Sequence, residues 1–158
     1  MRPRRLFLTA FILVAAVAAG AAAKGAKDPF VGTWKLNIPK SKFEGGAPPK
    51  SSTVTITMVG DKRRVAVRTV PVSGPELSTE SVAADDGKDY PMKGSPMVDT
   101  VSVIRIDVRT VERRDKKEGK VVATLRATVS PDGKTLTVTQ KGMGAQGLYT
   151  NVLFYDRQ

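Results

Sequence analysis

From Gly32 onward the chain alternates short β-branched runs with turn clusters, and no long stretch keeps an apolar period of 3.6 residues. In Lys120 to Val129 the odd positions Val121, Ala123, Leu125, Ala127 and Val129 are apolar, while Thr124, Arg126 and Thr128 alternate with them. That is a strand with one buried face. Thr53 to Met58 and Thr135 to Thr139 repeat the pattern. Turns are predicted at Gly60-Asp61, Ser73 to Pro75, Asp85 to Lys88, Lys93 to Pro96, Asp107 to Arg109, Lys117 to Lys120, Pro131 to Lys134 and Gly142 to Gly147. Between them lie about ten candidate strands, spaced as in an all-β antiparallel meander of about 8–10 strands.

Three segments are less regular. Val101, Val103, Ile104 and Ile106 break parity in mid-strand, which predicts a β-bulge or a strand covered on both faces. Leu77 to Ala84 would tolerate a short helix, but flanking hairpin signals favour a strand. Residues 38–50, IPKSKFEGGAPPK, hold too much Gly and Pro for an element and form the longest loop, either a gate at a barrel mouth or a simple crossover.

A meander leaves two exposed edges unless it closes on itself. Phe30, Trp34 and Phe43 lie near the start, Tyr149, Phe154 and Tyr155 near the end, and only Tyr90 lies between them. Large rings bury the most area per residue, so this grouping predicts that first and last strands pair and close a barrel, with Gly32 and Trp34 as the structural plug of one end.

The first 23 residues carry Arg2, Arg4 and Arg5, an apolar run and then small residues, the three parts of a secretory signal peptide with cleavage expected after Ala23. Arg4-Arg5-Leu6-Phe7-Leu8 also fits a twin-arginine signal, so the export route stays open. Residues 24–29 form a flexible lead, and 30–158 a single barrel domain, expected to be periplasmic or secreted, monomeric and without a membrane span after cleavage. Losing three arginines and no acid lowers the formal charge from +11 to +8. A surplus of that size suits either a soluble basic surface or contact with an anionic surface.

The chain has no His and no Cys, which excludes Ser-His-Asp and Cys-His catalysis, disulfides and the usual zinc sites. Asp85, Asp86 and Asp89 fit a hairpin turn and lack calcium-loop spacing, so neither a metal, a cofactor nor catalysis is expected. Arg113 to Lys120, with five bases against two acids, reads as a basic hairpin tip and the best external anion site. No specific nucleic-acid binding is expected, because aromatic residues are not interleaved with the basic ones. Inside a barrel a few polar groups orient the ligand; the candidates are Tyr149, Asn151, Arg68, Arg105 and Arg126. Taken singly, each arginine fits an outward, solubilising role better than an inward one.

FVGTWKLN, residues 30–37, resembles the opening of the calycins, the superfamily of lipocalins and intracellular lipid-binding proteins, through the G-x-W motif at Gly32, Thr33 and Trp34. Phe30 and Leu36 fit the lipid-binding branch. With KSKF, DGKDYP, PDGK and a closing YTNVLFYDRQ, the chain as a whole resembles small secreted bacterial lipocalin-like proteins of undefined activity. The resemblance implies a lipocalin-like or fatty-acid-binding-protein-like barrel holding a small apolar or amphiphilic ligand. It departs from the lipid-binding branch in lacking room for two helices after the first strand. It departs again at Leu153, where that branch tends to place an arginine two residues before a tyrosine to grip a fatty-acid carboxylate. The expectation is therefore a non-catalytic exported binding module; the alternative is a packed barrel whose basic loops meet an anionic surface or a partner protein.

Overall fold

The computed structural model describes residues 27–158 apart from 145 and 146. The expected signal peptide over 1–23 lies outside the described residues, as do 24–26 of the lead and the tip of the Gly142 to Gly147 turn. Ten strands follow one another with no helix among the described residues: β1 (Gly32–Leu36), β2 (Ser51–Val59), β3 (Lys62–Val70), β4 (Leu77–Ala83), β5 (Asp86–Lys93), β6 (Thr100–Asp107), β7 (Thr110–Lys117), β8 (Lys120–Val129), β9 (Thr135–Gly144) and β10 (Gly147–Arg157). Each pairs antiparallel with the next, and β10 pairs with β1, so the barrel is closed. The closing seam sets Trp34 opposite Arg157 and Leu36 opposite Tyr155, which joins the two aromatic clusters of the termini. Closure satisfies both edges at once, as the meander requires.

Period two decides which side chains enter the barrel. Val54 and Ile56 on β2, Val65 and Val67 on β3, and Leu136 and Val138 on β9 face inward, while Thr53, Arg64 and Thr137 alternate outward. β4 is a strand, and its inward residues include Thr79, Ser81 and Ala83. On β6 Val101 is buried and Val103 lines the interior, while Ile104 and Ile106 alternate onto the exposed outer face; a register shift follows between Arg105 and Asp107. Further shifts lie between Asp86 and Asp89 on β5 and between Asp115 and Lys116 on β7. The thinnest seam joins β4 to β5, paired only at Glu80 with Lys93 and Ser81 with Met92.

One expectation is corrected. The segment from Arg113 is not a hairpin tip: β7 runs through Lys117, and only Glu118 and Gly119 turn the chain. On an alternating strand Arg113 and Asp115 share the inward face with Val111, so two charges read as external stand inside the barrel. Of the remaining bases there, Lys116 is held by Asp89 and Lys117 by Asp99, both at 2.7 Å.

The core occupies one end. Phe30, Trp34, Val129 and Leu136 are almost fully buried there, and each contributes about 1.5–3 kcal/mol by leaving water. The Trp34 indole Nε1–H donates to the Phe30 carbonyl at 2.9 Å, which fixes the ring across the barrel end. Gly32 has φ of 146°, and a Cβ there would collide with the Arg157 guanidinium, so the first glycine of the motif answers both backbone and space.

Candidate functional site

Between the plugged end and the opposite mouth the barrel is hollow, with a cavity of about 790 Å³. Its walls are mostly apolar, led by Val54, Ile56, Val65, Val67, Val138 and Leu153. The mouth is framed by the loop after β1, through Phe43, Gly45 and Pro49, and by the β3–β4 connection, through Pro71 and Val72. Short turns at Gly60, Asp85 and Arg109 lie at the other end, whereas the three longest connections, after β1, β3 and β5, lie at the mouth.

The loop 38–50 is stitched along β10. Lys42 and Val152 exchange both backbone hydrogen bonds, at 2.8 and 2.9 Å. The Asn151 Oδ1 accepts from the backbone N–H of Glu44 at 2.8 Å and of Gly45 at 3.1 Å. Ser41 Oγ accepts from the Phe154 N–H at 3.0 Å. This prolongs the β1 edge irregularly toward the mouth and places Gly45 beside Tyr149.

The candidate residues separate into three places. Asn151 lines the cavity, with its side-chain oxygen committed to the loop. Tyr149 sits at the rim with its ring between glycines: a Cβ on Gly45 would come within 2.8 Å of the ring, and one on Gly142 within 2.7 Å of the hydroxyl. Arg105 belongs to the plugged end, donating to Asp85 at 2.8 Å, Asp28 at 2.7 Å and the Val108 carbonyl at 3.0 Å. Burial alone would lower its pKa; Asp85 and Asp28 outweigh that and leave it raised. Arg68 and Arg126 point outward, paired with Glu76 and Glu112, and do not line the cavity. The even-numbered positions of β3 and β8 carry them to the solvent face.

Several polar lining groups escape sequence reasoning. Arg63 is 8% exposed and bonds Asp85 and Asp28, with its guanidinium 5.0 Å from the Phe30 ring centre. Arg113 grips Asp115 through Nε at 2.5 Å and Nη2 at 3.0 Å. The Ser52 and Thr69 hydroxyls lie 3.0 Å apart, and Tyr155 stands beside Ser52. Burial raises the Tyr155 phenol pKa, and the Ser52 hydroxyl opposes that rise. The Arg113–Asp115 pair had a readable signal, since opposite charges two apart on a strand share a face. Arg63 and Asp85 had none, being joined only by folding.

Comparison with protein families and with curated proteins finds no match. Among solved structures the chain is similar to zebrafish ileal bile acid-binding protein complexed with cholic acid, at 15% identity and a TM-score of 0.51, over 82% of this chain and 99% of that one. The likeness establishes the fold: an all-β, ten-stranded closed barrel of the fatty-acid-binding-protein type.

Proposed function

We propose that this protein binds one small apolar or amphiphilic molecule inside its barrel, without catalysis, and acts outside the cytoplasm after loss of residues 1–23. The observation that carries the reading is the hollow interior. A cavity of about 790 Å³ walled by Val, Leu and Ile, open at one end and plugged at the other, has the size and lining of a small-molecule site. Pockets that hold such ligands measure roughly 300–1,000 Å³. A barrel serving only as a scaffold for surface contacts gains stability by filling that space with side chains. The solved barrel of like fold is a complex with cholic acid, which supports an apolar or amphiphilic occupant. Of the outward cations, Arg64, Arg68, Lys116, Lys117 and Arg126 each lie against a carboxylate, so these five add little to a rival surface reading.

The test is a fluorescence titration with Nile red, a neutral apolar dye. Saturation at one dye per protein supports the reading, and Val67→Trp with Val138→Trp, which fills the cavity from facing walls, lowers affinity at least tenfold. A linear, unsaturable rise, unchanged by the two tryptophans, contradicts it.

A further inference from the structure

The cavity lining is charge-balanced in place. Arg113 is matched by Asp115 on the same face of β7, and Arg63 by Asp85 and Asp28 at the plugged end, where Arg105 completes the balance. Although the chain as a whole is strongly basic, its interior offers no surplus charge of either sign. Polar groups also sit on facing walls. In a closed ring of ten strands β7 and β2 are five strands apart in both directions, so the Arg113–Asp115 pair looks across at Ser52, hydrogen-bonded to Thr69 on β3. Gln140 lies in the row of Arg113, one strand beyond Leu125, and adds a neutral donor and acceptor.

Resting on the cavity reading above, we infer that the ligand is an electrically neutral amphiphile with two separated hydroxyl or carbonyl oxygens, one met by Arg113, Asp115 and Gln140 and the other by Ser52 and Thr69. Asp115 occupies two of the five N–H donors of Arg113, and the other three have no protein partner among the described residues. The pair can therefore donate to a ligand oxygen and accept from a ligand hydroxyl together. A carboxylate ligand would have to share Arg113 with Asp115 and leave two negative charges on one cation in a poorly solvated space, while an ammonium would leave two cations on one carboxylate. A hydroxyl or carbonyl adds hydrogen bonds and no charge. The lining between the two polar stations is mostly apolar, with Val103, Leu125 and Leu153 on it and Asn151 held by the loop after β1, which sets a largely apolar body between two oxygens.

The experiment is competition against Nile red at pH 7.5 by three molecules sharing a twelve-carbon chain: 1,12-dodecanediol, 1-dodecanol and dodecanoate, all below their aggregation limits. Hydrophobic burial alone ranks the diol below dodecanol, because it is the more polar of the two. The expected result is the reverse, with the diol at least fivefold tighter than dodecanol and tenfold tighter than dodecanoate. Arg113→Met with Asp115→Leu, and separately Ser52→Ala with Thr69→Val, should each bring the diol to the level of dodecanol or below. The inference is overturned if dodecanoate binds as tightly as the diol, or if both paired variants keep the diol preference. Should the first pair fail to fold, the ranking on the unaltered protein and the second pair decide. Nile red that never saturates removes the cavity reading and this inference with it, whereas saturation followed by the wrong ranking removes only this inference.

Discussion

The guanidinium of Arg157 lies 4.0 Å from the centre of the Trp34 ring while donating to three backbone carbonyls, Gly133 at 2.6 Å, Val31 at 2.7 Å and Pro29 at 2.6 Å. The two residues are opposite each other across the seam that closes the barrel. One side chain therefore covers the buried indole, ties the N-terminal lead to the last strand and anchors the β8–β9 turn. Trp34→Ala should cost about 3–5 kcal/mol by opening a cavity at the plugged end. Arg157→Ala should cost about 2–3 kcal/mol, and Arg157→Lys should recover less than half, since an ammonium cannot stack and reach three separate acceptors. Urea unfolding followed by Trp34 emission measures both. The native emission should be blue-shifted and poorly quenched by iodide, as suits a ring with no exposed surface.

Arg63 and the outward arginines should behave as different kinds of residue. Removing Arg63 leaves Asp28 and Asp85 facing each other at the plugged end with Arg105 alone, a loss of about 3–5 kcal/mol for a broken buried pair. Arg68→Ala and Arg126→Ala remove exposed pairs and should stay within about 0.5 kcal/mol of the parent. Denaturant midpoints of the three variants under one buffer check the contrast.

The strands are legible along the chain because alternation is local, and the grouping of aromatic residues at the two termini points to the closing seam that Trp34 and Arg157 form. The polar interior is harder to read. Arg113 and Asp115 are hidden in a run of charges, RRDKKEGK, whose composition suggests solvent more strongly than its parity suggests the interior. Asp85 sits in DDGKD, a turn signal, yet its side chain meets Arg63 from another hairpin. Contacts between distant strands follow from barrel closure and register, which no window of sequence contains. Tyr149 and Asn151 share one parity of β10, and what parity cannot show is that the loop after β1 folds back to engage them.

Tyr155 should make the protein sensitive to alkali. Burial raises its folded-state pKa above the ordinary phenol value, so folded and unfolded chains bind the proton equally well below about pH 10. Above that pH the unfolded phenol ionises first, and stability falls as pH rises toward the folded pKa. Tyr155→Phe should flatten this loss above about pH 10. Absorbance at 295 nm should show the Tyr155 phenol ionising only as the fold opens. A free, early titration of all three tyrosines in the folded protein contradicts the placement.

The contact between Gly45 and Tyr149 should behave as a coupled pair. Gly45→Val sets side-chain atoms against the Tyr149 ring, where even a Cβ comes within 2.8 Å, and should cost about 1–3 kcal/mol. In a Tyr149→Ala background the same change should cost less than half as much, because the obstructing ring is gone. Four denaturation curves complete the cycle. Equal costs in the two backgrounds would mean that the loop does not rest on that ring.

Native mass spectrometry of the protein incubated with a total lipid extract and then desalted reads directly whether the hollow barrel holds one small molecule. The expected spectrum shows a single adduct of a few hundred daltons at one-to-one stoichiometry, released as collision energy is raised, and absent from the Val67→Trp and Val138→Trp double variant. Bare protein at every collision energy, or equal adducts on the parent and the filled variant, would contradict it.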